Sequence, residues 1–210
     1  MASATKATPG KPPGAYHHGS LRQALLQAAE GILERDGIQG LTLRAAAREA
    51  GVSHAAPKNH FGDLSGLLSD LAALGFERFR AGMLARLEAA PEPARRAAAI
   101  GQGYVEFART HPGLFQLMFR GERLDMTRPA LRTALFAAFA VLSGTVGGEA
   151  AAPGERSLTV AQLADIAAAW SLVHGFSMLM LDGRLKPLLA GLPPGSDEMT
   201  LLAAVLDRGR

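Results

Sequence analysis

The stretch TLRAAAREAGVSHAAPKNHF, Thr42–Phe61, reads as two short helices joined by a tight turn. Thr42 offers an N-cap hydroxyl to a free backbone N–H of the first turn, and Leu43, Ala46, Ala47 and Ala50 follow it at helical spacing. Gly51 supplies the left-handed backbone that closes such a helix, and Ser53 is a fresh N-cap for a second helix over His54–Phe61. Val52 and Pro57 are spaced as a hydrophobic staple fixing the angle at which that helix leaves the turn. Helices joined this closely cross steeply, and Ala47 is small enough to let them touch. Such a pair is shaped to enter a DNA groove.

Upstream, Ser20 and Gln23 form a capping box that starts a helix at Leu21, which runs to Asp36 and ends at Gly37. Leu21, Leu25, Ala28, Ala29, Ile32 and Leu33 make its apolar stripe, a scaffold for the next two helices that Leu41 and Phe61 complete. A region of about fifty residues is marginal alone and should lean on the remainder of the chain. Residues 1–15, rich in Pro, Gly, Ala and Thr, are expected to be a disordered arm. His17 and His18 lack partner ligands at metal-binding spacing, so the arm reading is preferred to a metal site.

Downstream, Asp63 caps a long helix through about Glu88, with Leu67, Leu68, Leu71, Leu74, Phe79, Met83 and Leu87 inward, and Pro91 and Pro93 end it. Helices come next over Ala94–Thr110 and Leu114–Phe119, separated by a break at His111-Pro112-Gly113, and another begins at Pro129. Gly144–Ser157 has the composition of a loop. Val160–Leu181 is apolar nearly all round, with Leu163, Ile166, Trp170, Val173, Ser177 and Leu181 on one face. Its nearly apolar core, Ile166–Leu181, is shorter than the ~18 residues of a membrane span, so it predicts a buried helix with protein on both sides, one side a second subunit. Met199–Asp207 gives a last amphipathic helix. The fold class expected is all-α, with an arm over 1–15, a three-helix head over 16–63 and a larger helical domain over 64–210.

Thr42, Ala46-Ala47, Ala50-Gly51-Val52-Ser53 and His60-Phe61 match, in register, the T-x-x-x-[IAV]-A-x-x-A-G-V-S-x-x-x-x-Y-x-[HY]-F string of the TetR family of one-component transcriptional repressors, which this chain resembles. Trp170-Ser171-Leu172-Val173-His174-Gly175 resembles the W-x-x-x-H-G signature of a C-terminal domain in one branch of that family, and Tyr16-His17-His18-Gly19 resembles an opening that precedes its helix 1. The resemblance implies a homodimer that binds a palindromic double-stranded DNA operator and responds to a small-molecule effector held in the C-terminal domain. Candidate DNA-contacting residues are Tyr16, His17, Thr42, Arg44, Ser53, His54, Ala55, Ala56, Lys58, Asn59 and His60. Candidate effector-binding residues are Phe79, Met83, Tyr104, Phe107, Phe115, Met118, Trp170 and His174. The chain departs from the family at Lys58, where Tyr is usual, and at Leu64, where Lys is usual. Both family residues normally touch phosphate.

The bulk numbers bound these readings. An apolar share of 48% and a mean hydropathy of +0.11 over 210 residues argue for a folded core. The absence of cysteine excludes disulfides and thiolate metal sites and suits a cytoplasmic protein. The first fourteen residues lack the apolar core of a secretion signal. Although the pI is 9.7, the net charge is only +3, and within Thr42–Phe61 Arg44, Arg48 and Lys58 face only Glu49, so charge is modest support for DNA binding. No H-E-x-x-H, G-x-S-x-G or P-loop string is present, and Gly101-Gln102-Gly103 lies in a helical pattern, so no enzyme, cofactor or metal is expected. His174 reads as a hydrogen-bonded core histidine or as a group that polarises a ligand. The competing reading of the whole is a small-molecule-binding or interaction module of the same fold with weakened DNA binding. No membrane partner is expected.

Overall fold

Thr42 caps its helix: in the computed structural model, which describes residues 18–90, 92–146 and 158–208, its Oγ1 accepts from the Ala45 N–H at 3.0 Å. Helix α2 (Leu43–Glu49) then closes on Gly51 at φ 66°, with the Gly51 N–H donating to Arg48 O and the Val52 N–H to Ala47 O. Helix α3 (Ala56–Phe61) begins two residues later than its sequence pattern predicts. Ser53 accepts from the Ala55 N–H through Oγ and from the Ala56 N–H through its carbonyl, making a separate turn. Pro57 then sits in the first turn of α3, where a missing N–H costs nothing.

Helix α1 (His18–Gly40) also departs from expectation. It starts at His18, two residues ahead of Ser20, where the sequence pattern placed its start at Leu21, and its helical run breaks at Gly37, φ 69°, before one further turn to Gly40. Leu25, Leu26, Ala29, Ile32 and Leu33 are its buried stripe, which Leu41, Ala46, Ala47 and Phe61 meet.

Asp63 caps α4 (Leu64–Glu88), accepting from the Gly66 N–H at 2.8 Å. This helix runs along both parts of the molecule, with Leu67, Leu68, Leu71, Phe76, Phe79 and Met83 buried. Around it lie α5 (Pro93–Thr110), α6 (Pro112–Met118), a 3₁₀ turn at Gly121–Arg123 and α7 (Pro129–Val146). Pro112 opens α6 where a break was expected, again using a first-turn position that needs no N–H. The buried apolar side chains form one continuous core from Leu25 to Leu202, so the small head does lean on the body.

Helix α8 (Val160–Leu181) is fixed at its start by reciprocal bonds between Thr159 and Gln162, a capping box. By length and composition alone it could span a bilayer, mean hydropathy 1.4. Only Ile166, Val173, Phe176 and Ser177 are buried within this chain, which leaves open the side expected to meet a second subunit. Leu163, Trp170, Leu172 and Leu179 are exposed, so the predicted apolar face divides along its length. A short α9 (Lys186–Leu189), which the sequence pattern did not suggest, leads to α10 (Glu198–Arg208), which packs on α5. Among the described residues there is no strand, as the all-α expectation requires. Residues 1–17 and 147–157 lie outside the described residues, and with them the expected arm, Tyr16, His17 and most of the Gly144–Ser157 loop.

Candidate functional site

The outer surface of the α2–α3 pair carries most of the residues proposed from sequence to meet DNA. Arg44, Ser53, His54, Ala55, Lys58 and Asn59 are exposed, whereas Ala56 and His60 are half-buried at the flank. Thr42 is exposed, but its oxygen is engaged as the α2 cap. Behind this surface Pro57 and Phe61 are buried, which fixes the rotation of α3 about its axis. Arg44, Arg48 and Lys58 form no ion pair with a described residue, so their charge faces outward. Leu64 is different: it is half-buried and packs against the core, so it is a structural residue at the place where the family has a basic one.

A charged seam, not found by sequence reasoning, ties this surface to the body. Asp70 on α4 is almost completely buried and accepts from Arg22 of α1 (2.8 Å) and from Arg128, just ahead of α7 (3.2 and 3.3 Å). Arg128 also reaches the carbonyl of Phe61, the last residue of α3, at 3.5 Å, while the Arg22 guanidinium stands 5.7 Å from the centre of the Phe61 ring. Gly66 makes room for this: a Cβ there would lie 2.0 Å from the Phe61 carbonyl oxygen. Beside it Ser69 donates to the Ser65 carbonyl and accepts from the Asp125 N–H, both at 2.7 Å. Further along, the Glu34 carboxylate of α1 accepts from the backbone N–H groups of Gly113 and Leu114 at 2.8 and 3.0 Å, satisfying two free donors at the start of α6.

In the body, aromatic rings from α4, α5, α6 and α8 pack edge to face: Phe79 against Tyr104 at 4.7 Å, Phe79 against Phe107 at 5.2 Å and Tyr104 against Phe115 at 5.8 Å. They leave a cavity of about 140 Å³. Of the proposed effector-binding residues, Phe79, Tyr104, Met118 and Trp170 line it. Met83, Phe107 and Phe115 do not; they are buried behind the lining and support its rings. The rest of the wall is Phe76, Phe119, Leu135, Ala138, Phe139 and Leu142, most of it from α7, whose contribution sequence reasoning missed. Phe76 was within reach of it, since it precedes Phe79 by three residues on the same helix face.

His174 stands at the edge of the cavity, where its Nδ1 shares a 2.9 Å hydrogen bond with the Tyr104 hydroxyl, and the Trp170 indole N–H donates to the same oxygen at 3.2 Å. His174 is thus hydrogen-bonded and half-buried, an arrangement compatible with both of its readings. Burial lowers its pKa below the ordinary value of 6.5 and so favours neutral imidazole. Burial likewise raises the Tyr104 pKa well above that of a free tyrosine, opposed in part by the bond from Trp170, so the group stays a hydroxyl. A larger hollow of about 590 Å³ opens where α4, α5 and α10 meet, far from these rings. Charged groups at its wall are paired, Arg86 with Glu106 and Arg95 with Glu92, and it offers no comparable convergence of side chains.

A helix-turn-helix surface held on one end of a helical body with an internal cavity defines the class of one-component transcriptional regulators. Residues 97–205 match the family described as Tetracyclin repressor-like, C-terminal domain. The chain belongs to the TetR family of transcriptional regulators. It is similar over 92% of its length to 95% of a protein of unknown function from Rhodococcus sp. RHA1, at 36% identity and a TM-score of 0.72. It shares its fold with the TetR family transcriptional regulator PfmR from Thermus thermophilus, at 18% identity and a TM-score of 0.55 over 87% of this chain and 94% of that one. The multidrug binding protein EbrR, solved with imidazole, is similar at 23% identity and a TM-score of 0.55, covering 89% and 93% of the two chains. No curated protein matches.

Proposed function

We propose that this chain is a cytoplasmic, ligand-responsive repressor that binds a palindromic operator as a homodimer and is released or modulated by a small molecule held in the aromatic cavity. The observation that carries the reading is the outward surface of α3, whose Lys58 and Asn59 are free of the core while Pro57 and Phe61 lock the helix from behind. In the division of labour, residues 16–63 read DNA and residues 64–210 bind effector and partner, with no catalytic step assigned to either. In this reading Lys58 meets phosphate as a point charge and the exposed Asn59 reads an adenine edge. Dimerisation is supported by the open apolar faces of α7 and α8, where Phe136 and Leu163 are 52% and 51% exposed and Phe139 lies 5.9 Å from Trp170.

Selection of duplexes from a random pool tests the reading. A palindrome should be enriched, with half-sites about one helical turn apart or a multiple of it. Enrichment of no palindrome would leave the alternative, a small-molecule-binding module of this fold without specific DNA affinity. Light scattering at micromolar concentration should return a dimer, and Leu172→Glu should shift it toward monomer.

A further inference from the structure

Resting on the effector reading of the cavity, we infer that its ligand is a neutral molecule about the size of a single six-membered ring, bearing one hydroxyl or carbonyl group that bonds to Tyr104. Size comes first. The cavity measures about 140 Å³, close to the roughly 150 Å³ apolar cavity that admits benzene and otherwise stays dry. It is not a sign of loose packing. On either side the helices are drawn together by glycines: a Cβ at Gly75 would lie 2.7 Å from the Met118 sulfur, and one at Gly103 would lie 2.9 Å from the Met83 Cα. The space lies among the rings and the apolar side chains of α7 and is open on one side. Most of the wall is buried, whereas Phe139 and Trp170 are 41% and 39% exposed, so this side of the cavity is open in a single chain and is closed by the partner in the proposed dimer.

Charge excludes most alternatives. None of the ten lining residues is ionisable near neutral pH, and Tyr104 is held as a hydroxyl. An anion would find no cation there. A cation would find six aromatic rings, but a cation over a desolvated ring gains roughly thirtyfold in affinity, whereas an unpaired ion taken out of water loses several powers of ten. Neutral ligands are therefore favoured.

One polar anchor remains. The Trp170 N–H is spent on Tyr104, and the Tyr104 hydroxyl shares its other bond with His174. A hydroxyl donates one hydrogen bond and accepts two. If Nδ1 of neutral His174 accepts, the Tyr104 oxygen keeps a free lone pair for a donor on the ligand; if Nδ1 carries the proton, the Tyr104 O–H is released to donate. The tautomer of His174 thus lets one oxygen serve either a hydroxyl or a carbonyl, but only one such group at a time.

Calorimetry on the intact protein with four probes that share one ring tests this: benzyl alcohol, toluene, benzoate and benzylammonium. Benzyl alcohol should bind best, with toluene about tenfold weaker for want of one hydrogen bond, and the two ions at least about a hundredfold weaker. Tyr104→Phe should keep toluene binding and remove the preference for the alcohol. Ala138→Phe, which fills the cavity from α7, should abolish binding of both neutral probes. The inference is overturned if either ion binds as well as benzyl alcohol, if no neutral probe binds, if Tyr104→Phe leaves the preference intact, or if Ala138→Phe leaves binding unchanged. Should Tyr104→Phe fail to fold, the wild-type rank order and Ala138→Phe still decide it. None of these measurements involves DNA, so a protein with this probe ranking but no operator would sink the repressor reading alone, and a palindrome-binding protein with another ranking would sink the ligand class alone.

Discussion

The head and the body of this molecule are packed by different means. Around α2 and α3, alanines, backbone caps and a single buried ring, Phe61, pack on the aliphatic stripe of α1, and the seam beneath them is a buried carboxylate held by two arginines. In the body the contacts are made by large rings that meet edge to face and leave a hole. Small residues and charge-assisted bonds have one good arrangement, whereas rings and methionine have several of similar energy. The difference assigns stiffness to the part proposed to present a fixed surface to DNA and adjustability to the part proposed to admit a ligand.

The comparison can be broken at its strongest point by Asp70→Asn. Removing the charge leaves two guanidiniums sharing one neutral amide oxygen and facing an NH2 donor where the other oxygen stood, and since Arg22 is half exposed the cost should fall near the lower end for a buried pair, about 3 kcal/mol by urea denaturation. By contrast Ala138→Val, which adds two methyl groups into the body's void, should change stability by less than about 1 kcal/mol. Equal losses from the two substitutions would end the distinction. Thr42→Ala removes the α2 cap and should cost about 1 kcal/mol.

A smaller effect is expected from acid. The pKa of His174 is lower in the folded protein than in the unfolded chain, so as pH falls through 6.5 the unfolded chain takes up the proton first and stability declines. His174→Gln should flatten that part of the stability curve, and a wild-type stability that rises with acidification below the ordinary histidine range would contradict it. Smallest in stability is Lys58→Ala, expected to lie within about 0.5 kcal/mol of wild type because the side chain touches no core. Its effect should appear instead in operator binding, as a flattening of the salt dependence by about 0.9 in the slope of log K for each phosphate that is no longer neutralised.

The caps and glycines at Thr42, Gly51 and Asp63 were legible in the sequence because each is a local backbone requirement that few residue types meet. The start of α3 was not, since Ser53, Pro57 and the intervening residues satisfy both a turn and a helix. The apolar run of α8 announced a helix but not which part of it faces solvent, because a helix apolar on all sides carries no period to orient it. Part of the cavity wall was foreseen from Phe and Met content on α4, α5 and α6. The α7 share was not, as Leu135, Ala138 and Leu142 look like any core stripe until α7 is placed beside α4. The seam at Asp70 was invisible for a related reason: its partners lie 48 and 58 residues away on opposite sides, and nothing local marks as buried an aspartate in a helix that also carries exposed charges further along.

The bond from Glu34 to the start of α6 spans 79 residues, and the link from Arg128 back to Phe61 spans 67. A chain growing from its N-terminus on the ribosome therefore has its reading head translated long before the groups that steady it exist. The first 63 residues can form α1–α3 only as a loosely held cluster, and the entropy of closing loops this long is recovered only when α6 and α7 arrive. An incomplete chain stopped before residue 113 thus lacks the firm surface of the finished protein, so truncated products compete poorly for whatever the complete molecule binds.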